Sequence, residues 1–318
     1  MTGTVRFKRV ALIGIGLINS SIARVMRRDN LAESIVACAR RAETLETARR
    51  LGIVDDATTD PAEAAKGADL VVLGTPVGVY AEVAKAMAPG LSPGTIVSDV
   101  GSVKRKAVAD ISPHLPAGVA FVPGHPIAGT EHSGPEAGFA ELFEGRWCIL
   151  TPVEATTPEA LERVAGFWRH AGSMVEMMDV EHHDRVLAIT SHLPHLIAYT
   201  IVGTVADLEN ATRSEVIRYS ASGFRDFTRI AASDPVMWRD VFLGNKDAVL
   251  EMLGRFTEDL TALQRAIRWE EGDKLEALFT RTRAIRRSII EAGQEIDAPD
   301  FGRQAVEHPG TGTGRLEE

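Results

Sequence analysis

The chain contains very little cysteine, and this scarcity argues against a disulfide-based scaffold. Only Cys38 and Cys148 occur among 318 residues, and both lie in apolar, strand-like runs. We therefore expect two reduced and buried thiols. The sequence also lacks any run of about 18 apolar residues, and its first ten residues, MTGTVRFKRV, contain no apolar stretch of signal-peptide length. These absences predict a cytoplasmic protein without a membrane span.

An excess of positive charge is also missing. The formal net charge is -9 at pH 7, which argues against a surface for nucleic acid or for anionic membranes. Hydrophobic residues make up 45% of the chain and charged residues 25%, as in ordinary soluble globular proteins. The length suits about two domains of ~150 residues each. We expect small molecules and further copies of the chain as partners.

The first half of the chain, residues 1–178, alternates strand-like and helix-like segments. Such alternation predicts an α/β, Rossmann-like domain with a mostly parallel sheet. Seven apolar runs predict strands at Arg9–Ile13, Ser34–Ala39, Asp69–Gly74, Thr95–Val100, Ala120–Pro123, Trp147–Thr151 and Ser173–Met178. Helical spacing predicts helices at Ser20–Arg28, Thr44–Leu51, Val79–Met87, Val103–Ile111 and Pro158–Ala171.

The second half, residues 179–292, changes to long amphipathic segments. These predict an all-α domain with helices over His182–Leu208, Asp226–Ala232, Trp238–Gln264 and Leu275–Ala292. Their wide apolar faces are too extended to cover one another, so we expect a homodimer formed through these C-terminal helices. The last stretch, residues 293–318, is polar and glycine-rich, and we expect it to be a disordered tail.

A glycine-rich turn follows the first predicted strand. Gly14-x-Gly16 has the spacing of a dinucleotide-binding turn, but Asn19 stands where a third glycine is usual. The first two glycines of such a turn allow its tight bend and the approach of a pyrophosphate, whereas the third serves helix packing. The alternative is a strand, turn and helix without a nucleotide. The position of the turn inside a βαβ unit favours a cofactor site.

Two arginines follow the second predicted strand. About 20 positions past the glycines, where a carboxylate usually binds the ribose of NAD, stand Ala39, Arg40 and Arg41. Guanidinium groups suit a 2′-phosphate, which favours NADP over NAD. Alternatively, the two arginines begin a solvated helix and Arg40 stacks on adenine. The predicted cofactor-binding residues are Gly14, Gly16, Leu17, Ile18, Arg40, Arg41, Thr75, Pro76 and Asp99.

Two further motifs lie where predicted strands end. They are SDVGSVK, which begins at Ser98, and GHPIAGTEHSG, which begins at Gly124. Ligands bind at the carboxyl ends of strands in open α/β folds. His125 is therefore a candidate general base at neutral pH, and Ser102 could hydrogen-bond its imidazole or the reacting hydroxyl. The alternative for His125 is a structural histidine.

A third motif, HHDRVLAITSHLPHLIAY, begins at His182. Asp184, Ser191 and His195 recur in it at helical spacing and could face one side. A metal site is the alternative, because His192 and His195, with His182 or His183, resemble a ligand set. Without cysteine ligands, and with Pro194 between the two histidines, we predict no metal.

Arg225 and Arg229 lie in an otherwise apolar and aromatic stretch. A charge in such surroundings usually has a carboxylate partner. That partner could be a bound substrate, or it could be Asp226 or Asp240 in an internal ion pair.

Five motifs together resemble the prephenate/arogenate dehydrogenase family of tyrosine synthesis. They are GIGLINSS, SDVGSVK, GHPIAGTEHSG, HDRVLAITSHLPH and GFRDFTRIAASDPVMWRD, and the resemblance runs from about Lys8 to Ala292. It implies a Rossmann-like domain, a helical dimerisation domain and NAD(P)-dependent oxidative decarboxylation of prephenate, arogenate or both. Asn19 departs from the family's usual glycine, from which we expect altered packing or affinity and no loss of cofactor.

The resemblance also implies roles for individual residues. His125 matches the histidine that takes the proton of the substrate's ring hydroxyl, and Ser102 matches the serine beside it. Arg229 matches the arginine that holds the ring carboxylate, and His195 matches a histidine near the substrate side chain. The remaining substrate-binding residues are predicted to be Glu131, Asp184 and Ser191 in the pocket and Trp238 near the active-site rim and dimer contact.

Two other classes remain open from the sequence. A β-hydroxyacid dehydrogenase would need a lysine base on the first long helix of the second domain, but no lysine occurs between Lys106 and Lys246. A non-catalytic, NADP(H)-sensing dimer would need the glycine turn but not the combination of His125, Ser102 and Arg229.

Overall fold

The computed structural model describes residues 5–130, 132–207 and 222–291. The chain divides into two compact units, one up to Leu253 and the other from Gly254 onward. The predicted tail, residues 293–318, and Glu131 lie outside the described residues.

The strands are β1 (Phe7–Ile13), β2 (Ala32–Cys38), β3 (Asp56–Thr58), β4 (Leu70–Leu73), β5 (Ile96–Asp99), β6 (Ala120–Pro126), β7 (Trp147–Leu150) and β8 (Met174–Met177). The first eight α-helices are α1 (Leu17–Arg28), α2 (Ala42–Arg50), α3 (Pro61–Ala65), α4 (Tyr80–Met87), α5 (Lys104–Ile111), α6 (Pro158–His170), α7 (Val180–Leu187) and α8 (Leu193–Ala206). Further helices span Ser222–Thr228, Pro235–Gly244, Lys246–Arg268 and Gly272–Glu291.

The strands form one sheet in the order β3-β2-β1-β4-β5-β6-β7-β8. All neighbours are parallel except β6 and β7, which run antiparallel. The predicted α/β class with a mostly parallel sheet is thereby confirmed. The sequence analysis missed β3 and α3, because a three-residue strand with the sequence DAT offers no apolar run and a five-residue helix offers no periodicity.

Alternation along the strands builds a hydrophobic core on each face of the sheet. In β1, Val10 and Leu12 join the cluster that contains Trp168, whereas Ala11 and Ile13 join the cluster that contains Tyr80. Successive strand residues point to opposite faces, so a strand covered on both sides is apolar throughout. Cys38 and Cys148 are buried and unpaired, as expected.

The register of the parallel strands sets the level of the active site. Ile13 pairs with Leu73, Leu73 with Asp99, and Asp99 with Pro123. The carboxyl ends of β1, β4 and β5 therefore lie at one level, and β6 continues past this level to Pro126. The glycine turn, the β5–α5 loop and His125 all lie there.

The predicted helical second half is confirmed in the described residues. Helices α7 and α8 are joined through a π-helical turn at Ala188–His192. The run Val180–Ala206 is long and apolar enough to cross a membrane, with a hydropathy of 1.4 and 28% of its apolar window buried. Length and composition alone are weak evidence for a span, and this run carries the buried His183 and Asp184.

Candidate active site

The first glycine of the turn is required by its backbone and by its surroundings. Gly14 has a φ of +86°, and a Cβ there would lie 2.8 Å from backbone atoms of Gly74 and Thr75. Gly16 caps the N-terminus of α1, and a Cβ there would meet open space. The first turn of α1 carries no acidic residue. A helix N-terminus behind an open glycine turn suits the phosphates of a dinucleotide.

Asn19 fills the position of the missing glycine and stabilises the turn. It is 1% exposed, and its Nδ2 donates to the carbonyl oxygens of Gly14 at 2.7 Å and Val72 at 3.2 Å. A Cβ on Gly74 would lie 2.5 Å from that Nδ2. The altered packing expected at Asn19 is therefore a side chain that links the turn to β4 across a gap kept open by Gly74.

The other cofactor candidates surround this turn. Leu17 and Ile18 are half-buried in the first turn of α1, and Pro76 is exposed after β4. Thr75 Oγ1 is buried without a hydrogen-bond partner in the described part of the chain. The Thr75 hydroxyl could therefore donate a hydrogen bond to a polar ligand or accept one from it.

Arg40 and Arg41 are both exposed where β2 ends. With respect to residues 5–130, 132–207 and 222–291, neither guanidinium forms a hydrogen bond or ion pair. The glycine turn, Thr75 Oγ1 and the two arginines together fit a dinucleotide, and the arginines would accommodate the ribose end.

Asp99, another predicted cofactor residue, lies in a buried hydrogen-bond network. Its carboxylate is fully buried and accepts hydrogen bonds from Lys104 Nζ at 2.6 Å, Tyr80 Oη at 3.2 Å and the Gly101 N–H at 2.9 Å. These hydrogen bonds engage the Asp99 carboxylate inside the protein and anchor the β5–α5 loop. Lys104 Nζ also donates to the carbonyl oxygen of Gly124, the residue before His125.

His125 belongs to a chain of hydrogen-bonded side chains. Its Nδ1 lies 2.9 Å from Nε2 of His183, and Nδ1 of His183 lies 2.8 Å from Oδ1 of Asp184. His183 is fully buried, whereas His125 is half-buried at the end of β6. Burial, His183 and Lys104 place the pKa of His125 well below the ordinary histidine value. His125 is therefore neutral at pH 7, as a proton acceptor must be.

Asp184, a predicted pocket residue, holds the N-terminus of α5. It is 3% exposed, and its two oxygens accept the N–H groups of Lys104 at 2.8 Å and Arg105 at 3.0 Å. Those groups open α5, whose N-cap residue, Val103, has no side-chain acceptor. Burial raises the pKa of Asp184, but the bonds from His183 and from the two N–H groups outweigh it and lower the pKa overall. Asp184 therefore caps α5 as a carboxylate.

The predicted substrate end lies on α8 and the neighbouring helices. The rings of His195 and Trp238 stack with centroids 3.6 Å apart, and His195 Nδ1 lies 2.9 Å from the carbonyl oxygen of Ser191. Burial lowers the pKa of His195, and the positive charge of Arg229 lowers it further. Arg229 and His195 are therefore neighbours. Trp238 is only 6% exposed in the single chain.

Comparison with known proteins identifies the family. Residues 22–177 match the nucleotide-binding domain of prephenate dehydrogenase, and residues 179–281 match its dimerization domain. A cyclohexadienyl dehydrogenase from Zymomonas mobilis is 42% identical over 283 residues, which are 89% of this chain and 96% of that protein. This chain belongs to the prephenate dehydrogenase family. It is a pyridine-nucleotide-dependent dehydrogenase, which excludes both other classes considered from the sequence.

Further prephenate dehydrogenases support the assignment in sequence and in structure. The enzyme of Bacillus subtilis is 33% identical over 281 residues, 88% of this chain and 76% of that protein. The crystal structure of the Aquifex aeolicus enzyme with hydroxyphenyl propionate and NAD+ superposes with a TM-score of 0.84. The two sequences are 37% identical, and the match covers 90% of this chain and 100% of the Aquifex aeolicus chain.

Ser102 and Glu131, the remaining predicted residues of this dehydrogenase, have different outcomes. Ser102 is half-buried in the β5–α5 loop, at the same sheet edge as His125. Glu131 lies outside the described residues. Asp240, a predicted alternative partner for Arg225 or Arg229, forms an ion pair of 2.7 Å with Arg239.

His192, one of the histidines considered as metal ligands, lies in a hydrogen-bond network. Within the described ranges, no group of three or more His, Cys, Asp or Glu side chains is arranged to hold an ion. His192 Nδ1 instead lies 3.1 Å from the Asn245 side-chain nitrogen, which also donates to the Asp184 carbonyl at 2.7 Å.

Sequence reasoning missed His183, Lys104 and Asn245 as parts of the site. The only local signal was the HHD run, in which a buried histidine directly precedes a buried aspartate. Lys104 and Asn245 reach Asp184 across 80 and 61 positions, and His183 reaches His125 across 58, so only the fold reveals these contacts.

Proposed function

We propose that this chain converts prephenate, arogenate or both into 4-hydroxyphenylpyruvate or tyrosine. The names of its relatives support this reaction: cyclohexadienyl and prephenate dehydrogenases are 42% and 33% identical to it. One observation in the structure carries the proposal. His125 is a neutral histidine that lies at the same carboxyl-end level of the sheet as the glycine turn. Its Nδ1 contacts His183, and among the described residues its Nε2 has no hydrogen-bond partner.

The reaction requires a base, an anion clamp and a hydride acceptor. A nicotinamide supplies the hydride acceptor when bound. His125 takes the proton of the C4 hydroxyl through Nε2, which among the described residues has no hydrogen-bond partner. The C4–H bond then breaks as a hydride departs, the bond between ring C1 and the carboxylate breaks, and carbon dioxide leaves. The electron pair of that bond completes the aromatic ring as a phenolate, and the proton held by His125 returns to the ring oxygen to give the phenol product.

The proposed substrate-binding residues contact the two ends of the substrate. Arg229 binds the ring carboxylate through a bidentate guanidinium contact. His195, held by the Ser191 carbonyl and by stacking on Trp238, lies near the substrate side chain. Ser102 orients His125 or the ring hydroxyl. Glu131, which lies outside the described residues, is the proposed acidic group of the pocket.

For the cofactor, we propose NADP in preference to NAD. The support is the pair of exposed guanidiniums, Arg40 and Arg41, where β2 ends and where a carboxylate would select NAD. The Aquifex aeolicus relative is a complex with NAD+, so the general pyridine-nucleotide assignment does not depend on this preference.

For assembly, we propose a cytoplasmic homodimer through the C-terminal helices, with the domain boundary after residue 178. The family match to a dimerization domain supports it. So do large exposed apolar side chains on those helices, among them Leu243 at 68% and Leu250 at 58% exposed. Apolar surface of that kind is expected to be covered by a partner.

The proposed function is tested with the purified full-length chain, prephenate and arogenate as substrates, and NAD+ and NADP+ as cofactors. We expect substrate-dependent formation of the reduced nicotinamide and release of carbon dioxide with at least one combination. Absence of turnover in all four combinations, in a chain that still binds the cofactor, would overturn the proposal.

A further inference from the structure

The hydrogen-bond chain from Asp184 to His125 determines which ring nitrogen of each histidine carries the proton. A carboxylate has no proton to donate, so each of its contacts must come from a donor. Oδ1 of Asp184 accepts from the Lys104 N–H and Oδ2 from the Arg105 N–H, both from the first turn of α5. Because those bonds and the bond from His183 keep Asp184 ionised, Nδ1 of His183 must carry a proton.

The same reasoning passes through the imidazole of His183. Burial lowers the pKa of His183, so the ring is neutral and carries a single proton. With that proton on Nδ1, Nε2 of His183 presents a lone pair. The atom facing it at 2.9 Å, Nδ1 of His125, must then be the donor. The neutral His125 therefore has its lone pair on Nε2.

We propose that His183 is a positioning residue that, with Asp184, holds His125 in the tautomer whose Nε2 accepts the substrate proton. This assignment rests on the proposed function for its role in turnover, but the tautomer itself is a property of the free protein. His183 does not touch the substrate, since it is fully buried behind His125. It acts through the base and also restricts the rotation of the base's ring.

The surroundings of His125 supply no competing acceptor for this proton. The titratable groups that face it are His183, Lys104 and His192. Lys104 is a donor whose Nζ is engaged by Asp99 and by the carbonyl oxygen of Gly124. His192 is turned toward Asn245 through its Nδ1. In the described part of the chain, His183 is thus the one hydrogen-bond partner of the His125 ring.

Two substitutions of His183 distinguish its hydrogen bond to Asp184 from its hydrogen bond to His125. In His183→Asn the amide reaches the position of Nδ1, so it can donate to Asp184 but does not reach His125. In His183→Gln the amide reaches the position of Nε2, where its oxygen can accept from His125. His114→Gln is the matched control, because His114 lies in the surface turn Ser112–His114 without a ring hydrogen bond to any described residue.

The expected kinetic result is a split between kcat and KM. His183→Asn should lower kcat about 10- to 100-fold, and His183→Gln should lower it less than about 10-fold, as for other groups that orient a reacting side chain. KM should change less than kcat in both, and the control should match the wild type. A role limited to packing would affect Asn and Gln alike. Equal kcat values in the two variants, or a wild-type kcat in His183→Asn, would overturn the proposal.

NMR of the wild-type chain tests the tautomer without relying on turnover, and a variant serves only to assign the signals. With isotope-labelled histidine, the ring signals of His125 are assigned by their loss in His125→Asn. We expect a protonated Nδ1 and an unprotonated Nε2 for His125 at pH 7 in the free protein. A proton on Nε2 would overturn the relay even if the enzyme turns over prephenate. Conversely, this tautomer in a chain that turns over neither substrate would support the relay and overturn the proposed function.

Discussion

The glycine turn and His125, the proposed base, lie at the carboxyl-end level of one sheet but are built in opposite ways. The turn from Gly14 to Asn19 is a local structure, in which six consecutive residues provide the bend, the opening and the bracing amide. The base depends on partners far away in the chain, since His125 contacts His183 across 58 positions and Asp184 caps α5 across 80. A local motif tolerates replacement of one part, whereas a long-range network loses its function when one member is removed. The predictions below test this difference.

The largest effect is expected at the base. His125→Asn keeps a hydrogen-bonding side chain but cannot take up a proton, so turnover should fall about 10²–10⁴-fold while KM changes much less. Steady-state kinetics with prephenate and arogenate measure it, with His114→Gln as the control. Near-normal turnover in His125→Asn would mean that the histidine is structural.

The buried histidines of the catalytic region should make folding stability depend on pH. Burial lowers the pKa of His192 from the ordinary histidine value of 6.5 to about 4. As the pH falls, the unfolded chain therefore binds the proton before the folded chain does. The stability contributed by neutral His192 is fully present above about pH 6.5 and is lost as the pH falls toward 4, a decrease of about 3 kcal/mol in the free energy of unfolding. Urea unfolding between pH 4 and 7 measures this loss. His192→Asn should flatten the dependence, whereas an unchanged slope would assign it to other groups.

Arg229 tests the substrate end of the same region. Arg229→Ala should raise KM at least about 30-fold, because a desolvated charge pair loses one partner, and lysine should restore it only in part. Arg225→Ala, a neighbouring exposed arginine, is the matched control and should leave KM nearly unchanged. If Arg229→Ala instead lowers the melting temperature by several degrees at constant KM, Arg229 serves an internal ion pair.

A smaller effect is expected at the cofactor ribose. Replacing Arg40 and Arg41 together by alanine should shift the preference from NADP toward NAD by at least about 10-fold, since each charge-assisted contact contributes roughly 1.5–3 kcal/mol. Dissociation constants for both cofactors decide it. An equal loss for NAD and NADP, or a wild-type preference for NAD, would refute the NADP assignment.

The smallest effect is expected within the glycine turn. Gly74→Ala should cost about 1–3 kcal/mol of folding stability, because the new Cβ meets the Asn19 amide. Gly74→Ala in an Asn19→Gly background should cost less, since the amide is then absent. A double-mutant cycle by denaturant unfolding measures the coupling. Additive costs would show that Asn19 and Gly74 are independent and that the turn does not need the brace.

How much could be predicted depended on the range of the interactions. Strands and helices with clear periodicity were predicted to within a few residues, as for β4 and α6, and the glycine turn was found from its spacing. Asp99 and Asp184 show why the contacts of a carboxylate could not be predicted. A carboxylate next to a strand end or on a polar helix face reads the same whether it faces a ligand or a buried lysine and an uncapped helix end.

The sequence by itself determined the alternation of strands and helices and the glycine turn, and it singled out His125 as the candidate base. Each of these is encoded within one or two turns of chain, through side-chain periodicity and backbone freedom. Only the tertiary structure decided that Asn19 braces the turn, that Asp99 pairs with Lys104, and that His183 joins His125 to Asp184. The physical reason is that hydrogen bonds and ion pairs of buried groups depend on which atoms come within about 3 Å, and the packing of separate elements alone sets that distance.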